Sequence, residues 1–138
     1  MGLFRRTKNN KKPIIRQIID LIPRHMRQGI QKYQTDKYCH KYKTYDQLVA
    51  LLFGQLCRCS TLEDISVGIG VSETYINDLG LQQSPAKSTM SDGNKKRDWR
   101  VFEHIYQGLL TYYGHSLRSH SNAKVVEEVK DKTVLMSM

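Results

Sequence analysis

The stretch TYDQLVALLFGQLCR, residues 44–58, decides the fold. Leu48, Val49, Leu51, Leu52, Phe53 and Leu56 make a helix here apolar around most of its circumference, so it is expected to be central and covered by others. Thr44 can cap it, with the helix running from Tyr45 to about Arg58. The uncharged run Gln47 to Cys57 falls short of the roughly 20 apolar residues that a bilayer span takes. Its apolarity therefore serves a protein core.

Downstream, Ser60 followed three residues later by Glu63 is a capping-box pattern that opens a helix from Leu62 to about Ile69, which Gly70 can end. A short helix fits Ser72 to Leu79 and stops at Gly80. Ser84-Pro85 marks a turn before a helix over Lys87 to Lys96. The last long helix is expected from about Trp99 to Tyr113, with Val101, Phe102, Ile105, Leu109 and Tyr112 facing inward and Gly114 ending it. Upstream, Pro13 can open a helix whose Ile14, Ile15, Ile18, Ile19 and Ile22 follow helical spacing up to Pro23. A second helix fits Arg24 to Tyr33, with Met26, Ile30 and Tyr33 on one side; Gly29 weakens it. Thr35 to Lys43, which mixes aromatics with lysines, reads as a connector.

The expected architecture is all-α: a compact multi-helix domain over 13–114 that contains a helix-turn-helix-like segment. It is flanked by a disordered basic arm at 1–12 and a polar linker at 115–138. Within that linker only Thr133 to Met136 has strand character, and it has no partner strand.

The 138 residues carry 22 Lys and Arg against 13 Asp and Glu, a formal net charge of +9. Residues 1–43 hold twelve basic and two acidic side chains, a net +10. Residues 44–79 stand at −4, residues 80–100 at +3 and residues 101–138 at zero. Two basic regions thus flank an acidic, apolar middle that builds the core. Clustered cations release counterions from a polyanion, which makes nucleic acid the natural partner. Solubilising charge is the plainer reading. Three cysteines cannot all pair within one chain, and no apolar signal-peptide core follows the first Met, so a reducing cytosol fits best.

Helix Leu62–Ile69 followed by the basic helix 87–96 is the order a helix-turn-helix reader needs, one helix bracing and the next reading. Ser88, Thr89, Ser91 and Asn94 can reach bases or phosphates, while Lys95, Lys96 and Arg97 suit phosphates. The plainer alternative is a solvated helix with a basic C-terminal turn. Cys57-x-Cys59 and Cys39-His40 lack zinc-site spacing, and Cys57 is expected on the inner face of the central helix. The other histidines stand at no zincin spacing. No G-x-S-x-G or Walker A loop occurs. Trp99 is expected as a core anchor, with a base-stacking platform as the alternative.

Asp20-Leu21-Ile22-Pro23, Tyr33-x-x-Asp36-Lys37-Tyr38, Asp46 to Leu56 and Ser60-x-Leu62-x-Asp64-Ile65 resemble the amino-terminal domain of bacterial insertion-sequence transposases of the DDE class. The segment Lys87 to Glu103, with its Ser-Thr start and Trp99-x-x-Phe102 end, is similar to the most recognisable stretch of that family. The resemblance covers most of residues 13–114. It implies a helical domain that binds double-stranded DNA at the inverted-repeat ends of a mobile element, in a bacterial cytoplasm and associated with the nucleoid. It also implies a downstream RNase-H-like domain carrying three metal-binding acids. Lys132 to Met136 looks like the start of the strand that ends in the first of those acids, and Ser137 and Met138 stand where it is expected.

No catalytic residue, metal or cofactor is therefore expected in this chain. It reads as an isolated amino-terminal domain, or a remnant truncated or frameshifted before the catalytic domain. The expected DNA contacts are Ser88, Thr89, Ser91, Asn94, Lys95, Lys96, Arg97 and Arg100, with Arg5, Arg6, Lys11 and Lys12 of the arm adding non-specific affinity. A dimerisation, synapsis or regulatory module is the rival reading, and a homodimer is compatible with either.

Overall fold

The computed structural model describes residues 12–120, with side chains through Gly114. Among these residues there are seven helices and no strand: α1 Ile14–Ile19, α2 Pro23–Tyr33, α3 Thr44–Leu56, α4 Leu62–Ile69, α5 Glu73–Asp78, α6 Lys87–Lys96 and α7 Arg100–His120. The all-α expectation holds. The expected arm at 1–12, Lys12 apart, and the segment 121–138 with its strand-like Thr133 to Met136 lie outside the described residues.

Helix α3 is central. Its Val49, Ala50 and Phe53 are buried, and it packs on α1, α4 and α6. The shared core adds Ile15 and Ile19 of α1, Ile22 and Met26, Ile65 and Ile69 of α4, Leu79, Leu81, and Met90 of α6. Val101 and Ile105 bring in α7, which packs most extensively on α2. Fully burying an aliphatic side chain of this size contributes about 1.5–3 kcal/mol. Not every apolar position turned inward: Ile14, Leu51, Leu56 and Tyr112 are exposed.

Local chemistry sets the helix ends. Thr44 is the first residue of α3 rather than its cap, and it is fully buried. Its hydroxyl and amide both donate to Asp36 Oδ1, at 2.6 and 2.7 Å, so a carboxylate of the connector caps α3 from outside. The capping box of α4 sits one residue later than expected: Thr61 Oγ1 accepts the Asp64 amide, and the Asp64 carboxylate accepts that of Thr61. Beyond α5, Gly80 at φ +78° lets its amide donate to the Asn77 carbonyl and the Leu81 amide to that of Ile76, a closed helix end. Arg16 donates to Tyr45 Oη at 2.8 Å, and Tyr45 donates to the Leu79 carbonyl at 2.6 Å, joining α1, α3 and this turn.

Two further expectations are corrected. Gly114 does not end α7, which continues to His120, so residues 115–120 of the expected linker are helical. A Cβ at Gly114 would meet nothing within 4 Å, and the helix runs on through this position. Cys57 is the exposed C-cap of α3, not an inner-face residue, because the helix closes at Leu56 and Arg58 turns the chain at φ +53°.

Candidate nucleic-acid interface

Helix α6 has two unlike faces. Met90 is buried, and Gly93 lies so close to the Tyr42 ring that a Cβ there would stand 2.6 Å from it. Ser88, Asp92, Lys95 and Lys96 are exposed, with Thr89 and Ser91 half-buried between the faces. Helical spacing stacks 88, 92 and 95 into one outward stripe, with 91 at its edge. Lys95 and Lys96 occupy the last turn, where the helix dipole favours cations, and neither forms an ion pair among the described residues.

The residue that locks α6 in place is Arg97. Its guanidinium donates to Gln47 Oε1 at 2.6 Å, to the carbonyls of Tyr42 and Lys43, and to Cys39 Sγ at 3.5 Å. Its Nε donates to the Thr35 carbonyl at 3.4 Å, and the guanidinium lies 5.4 Å from the centroid of the Tyr42 ring. Gln47, itself buried, donates to Asn94 Oδ1 at 2.9 Å. Expected as a phosphate contact, Arg97 instead spends its donors on the connector 35–43 and α3. The carbonyl of Asn94 is likewise occupied.

Between that connector and α6 runs an open groove of about 510 Å³, lined by Tyr33, Lys37, Tyr42, Thr89, Asp92 and Lys96 among others. Lys37, Lys96 and Arg97 outnumber Asp92 and Asp98 along it. Burial pushes the Tyr42 phenol up to about 12, with Arg97 acting in the opposite direction. At the rim, Asp98 accepts the Arg100 amide at 3.0 Å and grips its guanidinium with bonds from 2.6 to 3.1 Å. The Arg100 side chain holds the Asp98 carboxyl below the ordinary carboxylate range. The same guanidinium sits 5.0 Å from the centroid of the Tyr33 ring.

The expected contact residues therefore divide. Ser88, Lys95 and Lys96 are exposed on one face of α6, with Thr89 and Ser91 at its edges. Arg100 is exposed but paired, and Lys12 is exposed and bridges to Asp20 at 3.0 Å. Arg5, Arg6 and Lys11 lie outside the described residues.

Sequence reasoning misses two members of this surface, Lys37 and Tyr33, although the lysine–aromatic mixture of 35–43 carries the signal. Trp99, expected in the core, is 67% exposed. Tyr38 of the connector is 86% exposed, with the Lys37 ammonium 5.3 Å from the centroid of its ring. No helix among the described residues is long and apolar enough to cross a membrane.

Residues 10–82 match the family described as a domain of unknown function, DUF4372. No curated protein and no solved structure is significantly similar to the chain.

Proposed function

We propose that this chain, which belongs to the DUF4372 family, serves as a DNA-binding module of an insertion-sequence transposase, engaging double-stranded DNA at element ends. The observation that carries the reading is the outer face of α6, where Lys95 and Lys96 stand exposed with Ser88 while Met90 and the Arg97 bonds fix the inner face. A helix anchored on one side and cationic on the other can approach a phosphate backbone without losing its packing. The similarity of Lys87 to Glu103 to insertion-sequence transposases supports the same assignment. Binding, not bond chemistry, is the role proposed.

Titration of the chain against inverted-repeat duplexes at two ionic strengths tests this reading. Affinity should exceed that for a scrambled duplex and fall steeply with salt. Equal affinity for both duplexes sinks element-end recognition, and indifference to salt sinks the phosphate contacts.

A second reading, dimerisation or synapsis, is favoured by the exposed Leu51, Leu56, Val67 and Val71 on and beside α3 and α4. It requires a concentration-dependent dimer in sedimentation that survives charge reversal at Lys95 and Lys96.

A further inference from the structure

Trp99 is the single tryptophan of the chain and is 67% exposed, where an indole ordinarily finds cover. It is not exposed by looseness. Asp98 accepts the Arg100 amide and holds its guanidinium, and the Trp99 carbonyl accepts the amides of Phe102 and Glu103 at 3.0 and 3.4 Å. Val101, two residues on, is fully buried. The indole is thus carried on a fixed turn at the start of α7. Asp98 on one side lines the groove, and Arg100 on the other lies over Tyr33, which also lines it.

We propose that Trp99, which stands beside the groove rather than in its lining, is a stacking platform for an unpaired nucleobase, so that a single DNA strand leaving a duplex can be held along the groove's edge. This rests on the DNA-binding reading above and deepens it. Charge selects the ligand. Exposed Lys95 and Lys96 and the Asp98–Arg100 pair flank Trp99 along the chain, so an apolar protein partner would have to desolvate charges to reach the indole. A nucleotide instead brings a flat π face for the ring and a phosphate for Lys96 and Lys37 in one unit. Bases within a duplex already have both faces stacked, so the platform serves a base outside the helix.

Because Trp99 is the only tryptophan, its emission reports this site alone. The 138-residue chain is titrated with an oligothymidylate, a blunt duplex, and the same duplex with a single-stranded tail, while anisotropy of labelled DNA reports binding independently. The oligothymidylate and the tailed duplex should quench the indole and the blunt duplex should not. Trp99→Ala should weaken single-strand binding about tenfold or more, with blunt-duplex affinity unchanged and Trp99→Phe intermediate. Because the side chain is exposed, both variants should keep the parent unfolding midpoint.

Binding by anisotropy without quenching overturns the platform, as does an equal effect of Trp99→Ala on both forms of DNA. Either result leaves duplex recognition by α6 standing. No binding to any of the three DNAs overturns the DNA-binding reading together with the platform.

Discussion

Arg97 contributes through the fork of its guanidinium, which reaches the carbonyls of Thr35, Tyr42 and Lys43 and the amide oxygen of buried Gln47. Removing it would take the donor from the Tyr42 carbonyl and from Oε1 of buried Gln47, and free the connector from α6. Arg97→Ala is expected to lower stability by about 2–4 kcal/mol in urea unfolding, and Arg97→Lys to recover little of it, since an ammonium cannot reproduce the fork. Lys95→Ala and Lys96→Ala, exposed and without an ion pair among the described residues, should each stay within about 0.5 kcal/mol. Lys95, Lys96 and Arg97, all expected as phosphate contacts, therefore do not share one role. Sequence gives their charge but not their partners, and the acceptors of Arg97 come from segments fifty or more residues away. Tyr42, on the same clasp, supplies a pH test. Its phenol is raised from 10.0 to about 12 by burial, so the folded chain keeps the proton after the unfolded chain has lost it. This contribution is fully present below pH 10 and is lost as pH rises toward 12. Urea midpoints should fall across that window, and Tyr42→Phe should flatten the fall; an equal fall in both proteins sinks the assignment.

At the level of elements, α2 and α7 pack through reciprocal glycine contacts. A Cβ on Gly29 would stand 3.2 Å from His104 and Val101, while one on Gly108 would stand 2.4 Å from His25 Nδ1 and 2.6 Å from its Cγ. Gly29, which counts against a helix by propensity, is thus part of what lets these two helices approach. The Gly108 contact involves the root of the imidazole, so the whole ring would have to move. Gly108→Ala should therefore destabilise by about 1–3 kcal/mol despite its better helix propensity. Gly114 has open space around it and lies within α7. Gly114→Ala should stabilise by about 0.5–1 kcal/mol in thermal or urea unfolding. A loss of stability there would mean that the helix ends at Gly114, as its sequence alone suggests. The bounds of α4 and α6 were legible because a cap and a proline turn mark them locally. The run-on of α7 was not, because His115 to His120 is polar with no apolar period to mark it as helical.

Across the whole molecule, the separation of charge that is visible in the chain acquires a shape. The basic connector and the basic end of α6 are drawn to opposite sides of one groove by Arg97, while the acidic segment 44–79 builds α3, α4 and α5. The all-helical class and most of the core were legible from apolar spacing. The juxtaposition of 35–43 with 87–100 was not, because it rests on Arg97, Gln47 and the fit of Gly93 against Tyr42. If this groove and the α6 face meet phosphates as proposed, each neutralised phosphate releases counterions, and the logarithm of the binding constant falls with that of salt at a slope of about −0.9 per contact. Lys95→Ala and Lys96→Ala should each make the slope shallower by about one unit and weaken matched and scrambled duplexes alike. Arg58→Ala, beyond α3 in the acidic segment, should leave the slope as it was. Arg97→Ala separates geometry from charge: under conditions where it remains folded, it should weaken binding by releasing the connector with its Lys37, Lys41 and Lys43. A slope unchanged in both lysine variants would mean that the outer face of α6 does not meet the backbone.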